Sequence, residues 1–216
     1  MTGTQILTLF QSIVDDQSID DVSALQIMNL AKDVVEEERP WRFLLTVDSS
    51  KTASTGDTYL STKALPTAFR TDYRMFVGSS FIEYYPILFE ERYMRRSEPR
   101  RYYLDMASSV FALTGTISAS STIYLYYIKT TDDIAAGTSP VWPSRFHPYL
   151  AFKMAEIYSG GIDGDEVNFR MTPAQQRVAR EMHDAMVSWD ERLKLQAMNN
   201  RGGMADEEPS FDLGLL

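Results

Sequence analysis

Two histidines are the first candidates for chemistry in this sequence, because the chain contains no cysteine. The lack of thiols excludes disulfides, thiol nucleophiles and thiolate metal sites. His147 stands in Arg-Phe-His-Pro at a predicted helix start, where a buried or capping role is the usual one. His183 stands among charged residues on the predicted outer side of the last helix, where it should be solvated. The sequence therefore predicts no proton transfer at either residue.

An acidic loop, Asp163-Gly164-Asp165-Glu166, offers oxygen ligands of the kind that hold Ca²⁺. The loop lacks the EF-hand pattern, which needs glycine at its sixth position and glutamate at its twelfth. No HExxH, Walker A, GxGxxG or GxSxG sequence occurs in the chain either. We therefore expect a solvated turn, with no bound metal, no cofactor and no catalytic residue.

One basic patch contains five arginines within ten residues: Arg92, Arg95, Arg96, Arg100 and Arg101. Tyrosines are interleaved with them, and arginine beside aromatic rings can hold phosphate and stack on bases. Glutamates at positions 90, 91 and 98 lie in the same stretch, which suits a salt-bridged seam between subunits equally well. Because the whole chain carries a formal charge of −9, the sequence favours the seam over contact with DNA.

Length and composition define the general class of protein. The chain has 216 residues, 44% of them hydrophobic and 24% charged, which is typical of a soluble globular protein with one substantial core. We expect no membrane association, because no apolar run approaches the ~18–20 residues that cross a bilayer and the first residues do not resemble a signal peptide. The acidic balance argues against general DNA binding, and it suits either a DNA conduit or simple solubility.

Helical periodicity occurs towards both ends of the chain. It predicts helices over residues 4–15, 20–38, 144–159 and 172–198. Their predicted N-caps are Thr4, Asp20, Ser144 and Thr172, and Gln175 completes a capping box in the last helix. The predicted apolar face of the second helix comprises Leu25, Ile27, Leu30, Ala31 and Val34. That of the last helix comprises Val178, Met182, Ala185, Trp189 and Leu193.

Residues 41–131 are rich in β-branched and aromatic side chains. The clearest predicted strand is Thr122–Lys129, whose two faces are both apolar or aromatic and should both be covered. Further predicted strands are Val110–Leu113, Tyr102–Met106, Trp41–Val47 and Tyr73–Val77, and the first two should join Thr122–Lys129 in an antiparallel meander. The sequence thus predicts an α+β fold in one domain, residues 1–200. In it, a bundle of N-terminal and C-terminal helices carries a central antiparallel β-rich insertion.

The last residues, 201–216, are predicted to be an extended tail. Gly202-Gly203 precedes the acidic stretch Asp206–Pro209, and four apolar residues follow with no core of their own: Phe211, Leu213, Leu215 and Leu216. An apolar peptide on a polar linker often docks on a partner. A frayed end is the equally weighted alternative.

Several stretches together resemble the head–tail adaptor (connector, or head completion) proteins of tailed bacteriophages. The resemblance spans about residues 5–198 and rests on the order of its motifs. These are Arg39-Pro40-Trp41-Arg42-Phe43-Leu44, Leu65-Pro66 with Phe69, Ser97-Glu98-Pro99-Arg100-Arg101-Tyr102-Tyr103, Thr122–Lys129, Pro140-Val141-Trp142-Pro143-Ser144-Arg145-Phe146-His147 and Ala155-Glu156-Ile157-Tyr158.

This resemblance implies a non-enzymatic virion protein at the head–tail interface, assembled in the host cytoplasm. It implies a ring of identical subunits, usually twelve, which binds beneath the portal protein, continues the DNA channel and contacts neck or tail proteins. We expect only weak, non-specific contact with channel DNA. The arginine patch would be a subunit seam or a channel contact, and the tail residues would dock on the portal or on a neighbouring subunit.

Three alternatives remain open from the sequence. Another neck or tail-completion protein would be mostly β, which the long final helix argues against. A small-molecule or carbohydrate-binding module would line a pocket with the aromatic strand. An enzyme would have to rely on His147 or on the acidic loop at Asp163, and we regard it as the weakest of the three.

Overall fold

The computed structural model describes residues 1–16, 19–159 and 170–199, and the side chains of these ranges as far as residue 194. Within them the chain forms an α+β structure, as predicted. The α-helices are α1 (Gly3–Val14), α2 (Asp21–Glu38), α3 (His147–Ser159) and α4 (Pro173–Asn199). The strands are β1 (Leu45–Ala53), β2 (Lys63–Ala64), β3 (Phe69–Val77), β4 (Ile82–Ile87), β5 (Arg101–Asp105), β6 (Val110–Leu113) and β7 (Ser121–Lys129). Short 3₁₀ turns cover Arg42–Leu44, Phe89–Tyr93 and Ser144–Phe146.

The chain divides into two compact units. The β unit is Lys32–Ile134, and the helical unit comprises Met1–Ala31 with the described residues from Ala135 onward. The boundary falls within α2 and again after Ile134. Both ends of the chain therefore contribute to the helical unit, and the middle of the chain builds the sheet.

Helix α1 begins one residue earlier than predicted, at Gly3, and its N-cap lies two residues earlier. Thr2 is its N-cap and forms a capping box with Gln5, whereas the hydroxyl of Thr4 donates to the Ala136 carbonyl oxygen at 2.9 Å. The prediction that Thr4 caps the helix was therefore wrong. Gly3 suits this start, because a Cβ there would lie 2.5 Å from the Ala135 carbonyl oxygen.

Helix α2 has the predicted cap, and its buried face agrees with the prediction in part. Oδ1 of Asp20 accepts hydrogen bonds from the backbone N–H groups of Val22 and Ser23, at 3.0 and 2.9 Å. The hydroxyl of Ser23 and these N–H groups lower the pKa of the Asp20 carboxyl. Leu30 and Val34, predicted as buried, are 46% and 41% exposed. Ile27 and Ala31 are buried as predicted, and the other buried apolar residues of the helix, spaced from them at three and four positions, are Ala24, Met28 and Val35.

The two C-terminal helices confirm one predicted cap and correct the other. Residues 144–146 form a 3₁₀ turn with no side-chain cap, so Ser144 is not the N-cap and α3 begins at His147. In α4 the capping box is present, with Thr172 N donating to Gln175 Oε1 at 2.8 Å and Gln175 N donating to Thr172 Oγ1 at 3.2 Å. Ala185, predicted as buried, is exposed, whereas Met186 is fully buried.

The strands of the β unit lie in the order β1-β7-β3-β4-β5-β6-β2. All neighbours are antiparallel except β4 and β5, which are parallel. The predicted meander is correct for β5 and β6 but wrong for β7, which pairs with β1 and β3. A strand as apolar as β7 is most stable with a neighbour on each side, since its backbone groups and side chains are then both covered.

One face of β7 contributes to the main core of the β unit. Ile123 and Leu125 are fully buried and Tyr127 nearly so. The same core includes side chains from β1, β3, β5 and β6: Ala53, Met75, Val77, Tyr102, Phe111 and Leu113. In a flat sheet β6 would lie about 19 Å from β7, four strand spacings away. A shared core therefore requires the sheet to curve.

The opposite face of β7 is only partly covered, contrary to the prediction. Tyr124 and Tyr126 are half-buried on this face. Their rings contact two other aromatic side chains, with centroid distances of 5.7 Å from Phe76 to Tyr126 and 4.8 Å from Phe81 to Tyr124. These aromatic contacts shield the half-buried part of this face, whereas Ile128 on the same face is fully buried, as predicted.

Candidate functional site

The five arginines of the basic patch lie on the connection between β4 and β5 and at the start of β5. Backbone hydrogen bonds hold this connection in place: Gly115 N donates to the Arg96 carbonyl oxygen and Tyr85 N to the Arg100 carbonyl oxygen, at 2.9 and 3.0 Å. Arg100 has a φ of 58°, which turns the chain into β5. The patch is therefore presented by a connection with a defined backbone.

Three of the arginines are engaged within the chain. Nε of Arg95 lies 3.1 Å from a carboxylate oxygen of Glu91, and Glu98 lies 3.6 Å from both Arg95 and Arg101. The guanidinium of Arg92 lies 3.6 Å from the ring centroid of Phe89 and donates to that residue's carbonyl oxygen at 2.7 Å. Glu91 and Glu98 thus pair with arginines of their own chain.

Arg96 and Arg100 differ from the other three. Both are exposed, and neither guanidinium has an ion pair or hydrogen bond to any residue in the described part of the chain. The local charge balance therefore leaves two cations available for a partner. A guanidinium in this position is suited to a carboxylate or a phosphate.

Large apolar side chains are exposed in the same connection. Leu88 is 67%, Tyr93 56% and Met94 79% exposed. We call these three residues, with Arg96 and Arg100, the arginine surface. Exposed aromatic, methionine and arginine side chains are enriched where proteins bind one another.

His147 is a structural residue in this fold. It is 3% exposed, and its Nε2 lies 2.8 Å from the Trp142 carbonyl oxygen. On the other side of the ring, Nδ1 lies 2.8 Å from the Met1 amino nitrogen and 3.1 Å from the Met1 carbonyl oxygen, so both ring nitrogens have hydrogen-bond partners. Burial lowers the pKa of His147 and keeps the ring neutral.

His183 is less solvated than the sequence predicts. Its side chain is 27% exposed and its ring centroid lies 5.7 Å from that of Tyr149. The prediction failed because His183 follows Met182 and stands three positions before Met186, which places it beside the packed side of α4. The contact is a packing interaction between α3 and α4.

We expect the thermal stability of the protein to fall as the pH drops below about 6.5, the ordinary pKa of histidine. The folded pKa of His147 is lowered, so the unfolded chain binds more protons in this range and stability rises with pH. The measurement is Tm between pH 7.5 and 5.5. His147→Asn should lower Tm but flatten its pH dependence and leave particle assembly intact, whereas His183→Asn should retain the dependence. Equal slopes in the parent and His147→Asn would contradict this prediction.

Lys32 is a notable residue that the sequence analysis missed. It is 2% exposed, and its Nζ donates to the carbonyl oxygens of Thr131 and Asp132, both at 3.1 Å. Neighbouring Glu36 is also buried and accepts from the Thr131 hydroxyl at 2.7 Å. The burial of Lys32 could have been predicted from the sequence, because this residue stands four positions after Met28 on the buried face of α2.

A groove of about 270 Å³ lies at the end of β3 and beside the β6–β7 connection. Its lining is rich in hydroxyl side chains: Ser79, Ser80, Tyr84, Thr116, Ser118 and Ser121. Neither Tyr124 nor Tyr126 lines it, although the alternative of a carbohydrate-binding module required the aromatic strand to form the pocket. This arrangement does not favour that alternative.

Several predicted sites lie outside the described residues. They are the acidic loop at Asp163 and the tail residues Phe211, Leu213, Leu215 and Leu216. Within the described ranges, no group of three or more acidic or histidine side chains is arranged to hold a metal ion. None of the helices described combines the length and apolar character that a membrane crossing requires.

Comparison with known proteins gives a family match over most of the chain. A family model described as SU10 adaptor protein matches residues 1–202. This finding confirms the resemblance to phage head–tail adaptors. A search of curated proteins found no match.

Proposed function

Because this chain belongs to the SU10 adaptor protein family, we propose that it is a structural subunit that connects the head of a tailed phage to its tail. The observation that carries the proposal is the match over residues 1–202. Membership of a phage adaptor family implies a location in the virion. Residues 1–200 would form the adaptor domain, and residues 201–216 a docking tail.

In this proposal identical subunits, twelve in the full particle, form a ring beneath the portal protein and continue the DNA channel towards the neck or tail proteins. The charge distribution supports such an arrangement. The β unit has thirteen basic and fourteen acidic residues, whereas the rest of the chain has eight basic and sixteen acidic ones. An acidic excess around a DNA channel lowers the affinity for phosphate and permits sliding, so contact with DNA would be weak and non-specific.

The arginine patch is proposed as a seam between subunits. Glu91 and Glu98 orient Arg95 and Arg101 within the chain, which leaves Arg96 and Arg100 for the neighbour. Reversing the charge of Arg95, as the sequence alone would suggest, would break internal ion pairs. Arg96 and Arg100 are therefore the more informative positions to change.

The proposed role is mechanical and requires no catalytic turnover or cofactor. The two histidines are held in packing roles, with His147 bonded to a backbone carbonyl and His183 against Tyr149. These contacts support a structural function for both.

Immunogold labelling of virions with antibodies against this chain tests the proposal. We expect the label at the junction of head and tail, and a closed ring of subunits there in electron micrographs. Label confined to the capsid faces or the tail fibres, or particles that lack the chain, would overturn it.

Deleting Met204–Leu216 should leave the melting temperature nearly unchanged but abolish or strongly weaken attachment of the chain to portal-bearing heads. The four apolar residues of the tail cannot form a core within the peptide, and each yields ~1.5–3 kcal/mol when buried on a partner. The measurement is the number of copies per purified head. Wild-type occupancy by the truncated chain would show that the tail is a frayed end.

A further inference from the structure

We propose that the arginine surface is the receptor for the acidic C-terminal peptide, Asp206–Leu216, of a neighbouring copy of this chain. The inference rests on the proposed association of identical subunits, and it names the occupant of the seam.

Charge complementarity is the first argument. The peptide has four carboxylate side chains, at positions 206, 207, 208 and 212, and no basic residue follows Arg201. On the receptor, Arg96 and Arg100 are exposed without an ion pair in the described part of the chain. Guanidinium–carboxylate pairs are among the stronger polar contacts between proteins and fix the register of a bound peptide.

Apolar complementarity is the second argument. Phe211, Leu213, Leu215 and Leu216 follow the acidic stretch, and Leu88, Tyr93 and Met94 are 67%, 56% and 79% exposed. A methionine side chain adapts to the shape of an apolar partner, and tyrosine provides a large rigid contact. The peptide contains carboxylates and apolar side chains close together. The receptor likewise presents arginines and apolar side chains within one connection.

The receptor is already ordered before any peptide binds. Glu98 pairs with Arg95 and Arg101, and the Thr114 hydroxyl donates to the Glu98 carbonyl oxygen. Gly115 N holds the Arg96 carbonyl oxygen at 2.9 Å. Because this backbone is fixed, the receptor loses little conformational entropy on binding.

The length of the chain beyond α4 permits exchange between subunits. Seventeen residues follow Asn199, the last residue of α4. An extended chain of that length reaches about 55 Å, at about 3.3 Å per residue. If each copy gives one peptide and receives one, the contact is head-to-tail, and such contacts form a ring when the rotation between successive copies closes.

Binding of a synthetic peptide tests the receptor. A fluorescein-labelled peptide of residues 204–216 is titrated with the full-length chain in which Phe211→Ala and Leu213→Ala disable its own tail, and fluorescence anisotropy is measured. We expect saturable binding that weakens with added salt and falls at least tenfold when Arg96→Glu and Arg100→Glu are combined. The matched control, Arg177→Glu with Arg180→Glu, changes two exposed arginines on α4 and should leave binding unchanged.

The neutral double variant, Arg96→Gln with Arg100→Gln, is the control for misfolding caused by charge reversal. It should give an intermediate loss of affinity for the peptide, with the circular dichroism spectrum unchanged. Absence of binding up to millimolar concentration, or equal binding by the parent and the charge-reversed chain, would overturn the proposal. Binding to these arginines is measured without phage particles. It can therefore fail while the chain is still found at the neck, or succeed while it is not.

The neighbouring copy is identified by cross-linking. A photoreactive phenylalanine analogue replaces Phe211 in the full chain, and equal amounts of ¹⁵N-labelled and unlabelled chain are mixed and irradiated. We expect cross-links from position 211 to residues 88–100 that join labelled to unlabelled copies. Cross-links confined to one copy, or directed to other surfaces, would overturn the assignment to a neighbouring copy.

Discussion

Replacing Trp41 by alanine is expected to lower the free energy of unfolding by about 4 kcal/mol, the range measured for large buried aromatic residues. Trp41 is fully buried, and its Nε1 donates to the Val35 carbonyl oxygen at 2.6 Å. Its ring stacks on Phe43 at a centroid distance of 5.4 Å. The change removes this packing and leaves a carbonyl near the end of α2 without its donor.

Urea denaturation followed by far-ultraviolet circular dichroism measures the effect of Trp41→Ala, and transitions should be fitted separately if the two units unfold in steps. Trp41→Phe is the matched variant, since it keeps most of the ring volume and loses the hydrogen bond. It should cost less than half as much. A loss below about 1 kcal/mol for Trp41→Ala would be inconsistent with its burial.

Lys32→Met is expected to lower the free energy of unfolding by about 3 kcal/mol, because a hydrogen bond to a charged group contributes about 1.5–3 kcal/mol and this change removes two of them. Methionine keeps the length of the side chain, so the loss arises from the polar contacts. The two carbonyl oxygens at 3.1 Å, from Thr131 and Asp132, would lose their donor. Asp33 and Asp133 are 56% and 80% exposed, so their ion pairs with Lys32 contribute little.

Lys194→Met is the control for this change, because Lys194 is 50% exposed and lies 4.0 Å from Glu191. The stability of this control should change by less than about 0.5 kcal/mol. Denaturation of both variants under the same conditions provides the comparison. Equal losses in Lys32→Met and Lys194→Met would show that the buried ammonium is not needed for stability.

Local sequence signals predicted the helices and several strands well. Asp20 and Thr172 were identified as caps because their side-chain oxygens suit the free N–H groups of a first turn. Thr4 failed because its hydroxyl bonds to the distant Ala136 carbonyl oxygen, and Ser144 failed because it begins a 3₁₀ turn that precedes α3. Hydrophobicity alone also misplaced Leu30 and Val34, since helix geometry places Met28 and Val35 on the buried side instead.

The pairing of strands that lie far apart in the sequence was harder to predict. The apolar pattern of β7 predicted a strand, but nothing local specifies that its partners are β1 and β3. The ion pairs of the arginine patch could have been predicted, because Glu91, Arg95, Glu98 and Arg101 are spaced by three and four residues. The exposure of Arg96, Arg100 and Met94 could not have been predicted, because it depends on how the connection between β4 and β5 folds.

The parallel pairing of β4 and β5 explains why the arginine surface exists at all. Antiparallel neighbours can be joined by two residues, but parallel ones need a return connection of about a dozen residues or more. Leu88–Arg100 is that return, anchored at both ends by the sheet. Its length is thus a topological necessity. Partner specificity could be transplanted between related subunits by exchanging this single segment while the strands on either side keep their register.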